Sequence, residues 1–298
     1  MSTKLDKKEN NYSHQTTIQI IKRELIKDKA AMTSLIVLVL IIIASIVIPL
    51  LIDQAAAFRV NPRMLNTPPS AEHVLGTDDA GRDVFAFLVV GARNSLAVGF
   101  LVTLISGVFG IIYGLISGYF GGRVDNVMMR IAEFFSILPF LVLVITFVAI
   151  MPQYTIFHFA LIMSSFLWMG IARMIRARSI QEKELEYIQA SKTLGTSNLK
   201  IIFRELFPNV STIMIANMTL NMAGNIGIEV GLTFLGFGFP FETPSLGTLL
   251  SAARNPVIMQ LRWWIWVPAL ILVLAIMLSI NSLGRMLNRA TDSRLRRG

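Results

Sequence analysis

The chain has 298 residues, of which 54% are hydrophobic and only 15% charged, with a mean hydropathy of +0.64. Soluble domains carry roughly 25% charge, so a soluble globular enzyme and a disordered chain are both excluded. The net charge of +9 requires no nucleic acid, because the basic flanks of membrane segments and their attraction to anionic headgroups account for it.

In chain order, residues 1–29 form a polar, basic tail. Uncharged stretches then run over 30–52, 94–122, 134–172, 206–228 and 263–284. Each is at least 22 residues long, and about 20 apolar residues cross a bilayer's hydrocarbon core. As one helix, 134–172 would reach about 58 Å against a core of about 30 Å, so it must be two spans. Met151-Pro152-Gln153-Tyr154-Thr155 supplies the break, because proline removes a donor and biases the preceding residue away from helix. The spacing therefore predicts six spans near 32–52, 95–119, 131–150, 157–175, 211–235 and 263–283. Only helices or closed barrels satisfy backbone groups in lipid, and runs of 20 apolar residues are not barrel strands. The expected fold is all-α, a polytopic membrane helix bundle with six transmembrane helices.

Of the 27 Lys and Arg residues, 21 fall in the tail, the even-numbered loops and the basic end at 285–298. The other 6 are Arg59, Arg63, Arg82, Arg93, Arg254 and Arg262. This bias puts both termini in the cytoplasm of a plasma-membrane protein. Ala55-Ala56-Ala57 after the first apolar run invites a signal-peptide reading, but the run and the preceding tail are too long for one. The first span reads as a retained anchor.

The outer region 53–93 is too polar to cross. Thr77 or Asp78 is expected to cap a helix over 80–92 whose Val84, Phe85, Leu88 and Val89 lie on apolar neighbours. It reads either as a docking surface or as a rigid lid. In the core, 94–284, Gly110, Gly114, Gly118 and Gly122 form a small-residue ladder suited to close helix packing. The cytoplasmic loop 176–210 reads as two short helices, 181–194 and, after Gly195 and a Thr196/Ser197 cap, 198–207. Tyr187, Ala190 and Leu194 recur at helical spacing, as do Leu199, Ile202, Phe203 and Leu206. Periodicity alone leaves two readings, an amphipathic hairpin on the headgroups and a docking element for a cytoplasmic subunit.

Asn217, Asn221, Asn225 and Glu229 recur every four residues on the fifth span, spread over about 120° of the helix. Polar groups at that depth face a bundle interior or water, so they line a path or serve as interhelical hydrogen-bonding groups. Met214, Met218 and Met222 beside them read as core filler. Residues 237–262 face outward, with Pro240, Pro244 and Pro256 expected to break any helix, and Trp263, Trp264 and Trp266 anchor the last span at the outer interface.

Catalytic chemistry finds no support. There is no cysteine, so disulfides, thiol catalysis and thiolate metal sites are excluded. His14, His73 and His158 lie on three segments without ligand spacing, so no metal site is expected. The chain has no phosphate-cradling Gly-x-x-x-x-Gly-Lys-Ser/Thr string, no Gly-x-Ser-x-Gly elbow and no His-Glu-x-x-His helix. Energy for uphill transport would have to come from a partner or an ion.

Tyr187-Ile188-Gln189-Ala190-Ser191-Lys192-Thr193-Leu194-Gly195, with Ile201-Ile202-Phe203-Arg204 and Phe207-Pro208-Asn209, resembles the Glu-Ala-Ala loop of ABC importer permeases of the dipeptide, oligopeptide and nickel type. The outer strings Pro69-Ser70-Ala71-Glu72-His73, Leu75-Gly76-Thr77-Asp78, Gly81-Arg82-Asp83 and Gly91-Ala92-Arg93 are similar to that family's. So are Gly118-Tyr119-Phe120-Gly121-Gly122 with Asp125, Leu138-Pro139, and Leu232-Thr233-Phe234-Leu235-Gly236-Phe237-Gly238. The likeness extends over about residues 30–287. Gln189 stands where the name-giving glutamate would be and Ser191 replaces the second alanine, while Glu133 and Glu229 are this chain's own acids.

The resemblance implies a transport subunit, not an enzyme. Its cytoplasmic two-helix coupling loop would use Glu186, Tyr187, Gln189, Ala190, Ser191, Leu194, Gly195 and Pro208, and its extracellular motif Gly76, Thr77, Asp78, Gly81, Arg82, Asp83 and Arg93. Implied partners are a homologous second permease, two cytoplasmic ATPase subunits holding ATP and Mg, an extracellular binding protein and a peptide substrate. This chain would hold no cofactor. Two alternatives remain: the same class carrying nickel or another small solute, and an ion-coupled secondary transporter. The latter predicts an inverted repeat with broken helices, which is not found.

Overall fold

The computed structural model describes residues 17–52, 54–151, 153–240 and 243–291. Among these every regular element is helical, and the one β-type contact is a bridge between Thr77 and Asp83. The helices are α1 (Thr17–Lys27), α2 (Lys29–Leu51), α3 (Val84–Phe120), α4 (Gly122–Ile137), α5 (Phe140–Ile150) and α6 (Ile156–Lys183). They continue with α7 (Glu186–Thr193), α8 (Asn198–Ile201), α9 (Phe207–Leu235), α10 (Leu246–Ser251), α11 (Pro256–Leu261) and α12 (Trp263–Thr291).

By length and apolarity α2, α3, α6 and α12 can each cross a membrane, and α4 with α5 makes a fifth if that bent pair is one span. The chain is thus an all-α polytopic bundle. Two of the six expected spans depart from the reading. The third, over 131–150, bends by 72° between α4 and α5. The kink lies at Leu138-Pro139, where proline forces Leu138 into an extended conformation and cannot donate to the preceding turn. The fifth, α9, has 29 residues but its asparagines and Glu229 dilute its apolar content. The break after Ile150 is present, although Pro152 itself lies outside the described residues, as do 1–16, His14 among them, and 292–298. The second half of that hairpin starts at Thr155, whose hydroxyl and the His158 side chain cap each other's backbone in a reciprocal box.

In lipid the hydrophobic effect does not drive helices together, so close backbone approach and polar contacts do. The most extensive pair, α3 with α6, follows from the glycine ladder. A β-carbon at Gly110, Gly114 or Gly118 would stand 2.5–2.7 Å from the Trp168 carbonyl, the Ala172 carbonyl or Ser179 Cβ. Gly122, expected as the fourth rung, instead has φ +53 beside Gly121 at +63, and a β-carbon there would meet nothing. The ladder ends where α3 turns into α4. At that turn Arg176 donates to both Asp125 oxygens at 2.5 Å, and the Ser117 hydroxyl donates to the same carboxylate. One buried carboxylate thus ties α3, α4 and α6 together.

At the opposite end α12 packs on α9 and α2, and α9 on α3, around Phe87, Val90, Ile226, Ile265 and Ile276. The outward face of α2 is almost wholly apolar and exposed, as with Leu40, Ile43, Leu50 and Leu51, which suits a lipid-facing helix.

Candidate coupling element and motif cavity

The loop after α6 is organised by two short helical pieces and a set of side-chain hydrogen bonds. α6 runs to Lys183, so the first short helix begins at Glu186, five residues later than the sequence reading placed it. α7 stops at Gly195, whose φ of +80 is open to glycine at no steric cost. The Thr196 amide donates to the Ser191 carbonyl and the Gly195 amide to Lys192, a Schellman closure. Ser197 stands at the N-cap of α8, but its side chain makes no capping bond. The expected second helix is not separate either. α8 passes through a π-helical turn, Ile202–Leu206, straight into α9, where Pro208 occupies the first turn.

The apolar residues of this element divide between two sides. Ile188, Ile201, Ile202 and Leu206 are buried, the last two against Ile111 and Leu115 of α3 and Ile171 and Ile175 of α6. Leu194, Leu199 and Phe203 are 86%, 65% and 54% exposed. Polar bonds hold α7 to the π turn. The Ser191 hydroxyl donates to Glu205 at 2.6 Å, and Asn209 donates to the Tyr187 oxygen at 2.8 Å and to the Glu205 carbonyl at 2.7 Å. Tyr187 in turn donates to Glu182 at 3.3 Å. Burial, then the negative Glu182 and Glu205, holds the Tyr187 phenol above its ordinary range. Gln189 folds back to donate to the Lys183 carbonyl at 2.8 Å, while Glu186 and Ala190 remain exposed. Ser191, which replaces the second alanine of the resembled loop, therefore makes one of the two bonds between the halves, Asn209 to Tyr187 being the other.

Just before α3 the structure gathers most of the motif Gly76, Thr77, Asp78, Gly81, Arg82 and Asp83 into one knot. Asp78 accepts from the amides of Ala80 and Arg82 at 2.9 and 2.8 Å and from Arg82 Nε at 2.7 Å. The Arg82 guanidinium lies 4.7 Å from the centroid of the Phe87 ring, a cation–π arrangement. Thr77 accepts from the Thr67 amide at 2.8 Å and donates to the Met64 carbonyl. Gly76 and Gly81 have φ of +67 and +75, and a β-carbon on Gly81 would stand 2.0 Å from the Asn61 carbonyl. The expected helix over 80–92 starts later. Asp83, not Thr77 or Asp78, is its cap, accepting from the Ala86 amide at 2.8 Å, and the helix continues unbroken as α3. Asp83 also meets His73 at 2.7 Å. Arg93, half-buried further along α3, has no ion pair among the described residues.

Behind this knot opens a cavity of about 570 Å³ lined by Asp78, Asp79, Arg82, Thr233, Thr248 and Arg254, among others. Its inner wall is the segment after α9, which turns back into the bundle, with Leu246 and Leu249 buried. Pro256 begins α11 instead of breaking it, since a first-turn proline lacks only a donor that would be orphaned anyway. The segment is pinned by residues to which the sequence assigned no role. Asn94 donates to the Pro244 carbonyl at 2.8 Å, the Leu246 amide to Ser95 at 3.3 Å and the Phe239 amide to Thr233 at 3.2 Å. These uncharged polar residues lie in apolar stretches, and no local pattern distinguishes them from helix filler.

The asparagine stripe drifts as its spacing implies. Asn217 and Asn221 are half-buried, while Asn225 is buried and donates to Thr103 at 2.9 Å. Glu229 is fully buried, accepting from Thr233 at 3.0 Å, with its second oxygen unpartnered among the described residues. The stripe thus starts at the surface of α9 and ends inside the bundle.

Two family models match the chain, the binding-protein-dependent transport system inner membrane component over residues 110–297 and the N-terminal transmembrane domain of oligopeptide transport permease C over residues 16–69. The oligopeptide transport system permease protein OppC of Lactococcus lactis subsp. cremoris is 46% identical over 93% of this chain and 95% of its own. The dipeptide transport system permease protein DppC of Bacillus subtilis is 39% identical over 92% and 85%. The OppC of Mycobacterium bovis is 34% identical over 94% and 96%. The chain therefore belongs to the family of inner-membrane components of binding-protein-dependent transport systems, the permease subunits of ABC importers.

Proposed function

We propose that this permease carries oligopeptides or dipeptides, delivered by an extracellular binding protein, through a path it shares with a homologous second permease. The near full-length identity of 46% to an oligopeptide permease supports this cargo. ATP is hydrolysed by two cytoplasmic subunits that dock on the loop around α7. The loop supports that role because it is braced on its inner side by Ser191, Glu205, Tyr187 and Asn209 while presenting Leu194, Leu199 and Phe203 outward. An isolated amphipathic hairpin would not need such bracing. Motion imposed on α7 reaches α9 through the π turn and Pro208, so ATP-driven closure selects between inward- and outward-open arrangements of the bundle. All six segments of the sequence reading lie at membrane depth, α9 among them, shielded by partners at its polar positions, and both termini are cytoplasmic. Asn217 and Asn221 face the shared path, and Glu229 and Asn225 brace its outer wall.

Deleting the gene should abolish uptake of a labelled tetrapeptide or dipeptide, and the wild-type chain should restore it. Unimpaired peptide uptake together with lost nickel accumulation would transfer the assignment to the metal-carrying members. The purified chain, free of ATPase subunits, should hydrolyse no ATP.

A further inference from the structure

We propose that the inner ends of α4 and α6 form a binding site for the phosphate headgroup of an anionic phospholipid of the cytoplasmic leaflet. A cavity of about 320 Å³ lies there, lined by Asn126, Met129, Arg130, Glu133, Arg173 and Arg176. Three guanidinium groups converge on it and one carboxylate opposes them. Arg176 is engaged by Asp125. Arg130 meets Glu133 at 3.3 Å with both side chains largely exposed, a pairing that holds the arginine weakly. Arg173 donates to the Ser136 hydroxyl at 3.3 Å and has no carboxylate partner among the described residues. Two planar guanidinium forks, one held by an exposed ion pair and the other by a single long hydroxyl contact, thus keep donors for an oxyanion, the geometry that matches phosphate bidentately.

Depth and the neighbouring surface favour a lipid over a free ion. α6 carries no Lys, Arg, Asp or Glu between Ile156 and Arg173. At about 1.5 Å per residue Arg173 stands about 26 Å from the start of the helix, at the far edge of a hydrocarbon core about 30 Å thick. α4 is amphipathic, and beside its cavity-facing residues Val127, Ile131 and Phe134 are 60%, 45% and 61% exposed, a surface on which acyl chains can lie. Basic pockets between helices on the cytoplasmic side suit anionic headgroups. The site rests on the proposed orientation but not on the cargo, and lipid retention can be read without transport.

The test uses the chain isolated from membranes with its accompanying subunits, equilibrated with mixed phosphatidylglycerol and phosphatidylcholine in mild detergent. Retained lipid is counted by mass spectrometry. The wild type should keep phosphatidylglycerol in preference. Arg130→Gln with Arg173→Gln should reduce its retention about 10-fold or more, as expected for two lost contacts to an anionic headgroup, while helix content stays unchanged. Arg173→Lys should retain most of the lipid, because the charge remains. Equal retention of both lipids by the wild type, or undiminished phosphatidylglycerol on the double variant, would overturn the proposal. Displacement of the lipid by excess inorganic phosphate would do so too, by assigning the pocket to a free anion.

Discussion

Single residues in this protein act through two different constraints, as a pair of glycines illustrates. Gly195 has φ +80 and open space around it, so a side chain there meets only backbone strain, about 1–2 kcal/mol for a residue with a β-carbon. Gly195→Val should leave the chain at normal membrane abundance while weakening ATPase co-purification and abolishing uptake. Gly195→Asn, which tolerates the left-handed region, should retain much of both. Normal transport by the valine variant with the ATPase still bound would remove the loop from coupling. Gly114 has an ordinary helical backbone, but a β-carbon would meet the Ala172 carbonyl at 2.5 Å. Gly114→Val must therefore push α3 from α6, and reduced membrane abundance, measured by quantitative immunoblot, is expected in place of a coupling defect. Helical spacing makes the Gly114 role legible in the sequence. A helix stop makes Gly195 legible. The Ser191 bond to Glu205 was not, because the two residues lie 14 apart and meet only once the chain turns at Gly195.

At the scale of elements, polar contacts set how the helices move together. Asp125 binds α4 to α3 and α6 at one point. Arg176→Gln leaves the buried Asp125 carboxylate without its ion-pair partner and with only the Ser117 hydroxyl donating to it, a loss of about 3 kcal/mol or more, and should lower the thermal stability of the purified chain. Adding Asp125→Asn should recover part of that loss, and a double variant no better than the single one would show that the pair is not what binds these helices. In the coupling element, Ser191→Ala removes one hydrogen bond, about 1 kcal/mol, from a Glu205 whose other oxygen is already unpartnered among the described residues. Hydrogen exchange over 186–206 should accelerate while α3 and α6 stay protected. Unchanged exchange there would mean that apolar packing alone holds α7 in place. The element boundaries missed from sequence have two causes. α6 outlasts its apolar stretch because helix continues wherever propensity allows, and α8 merges into α9 because a π turn absorbs the extra residue without breaking the backbone ladder.

For the whole molecule, the charge bias predicts which faces are reachable. Single cysteines in this cysteine-free chain at Ser191 and Ser293 should resist an impermeant label on intact cells, and one at Ser70, exposed in the outer region, should react. Ser293 lies outside the described residues, so its accessibility tests the orientation alone. Labelling of Ser191 from outside would overturn both the topology and the docking role of the loop.

Composition and spacing by themselves determined that the chain is a polytopic helical bundle, that 134–172 must break near Met151, and that α3 meets a neighbour along its glycines. These follow from local rules, the length of helix a bilayer requires and the absence of a β-carbon. Only tertiary structure decided that 131–150 is bent by 72°, that Asp83 caps α3, and that the segment after Gly236 is held by Asn94, Ser95 and Thr233. Those outcomes depend on which of several polar side chains finds a partner far away in sequence. Inside an apolar bundle a serine or asparagine bonds whatever backbone packing brings to it, and that choice leaves no periodic trace in the sequence.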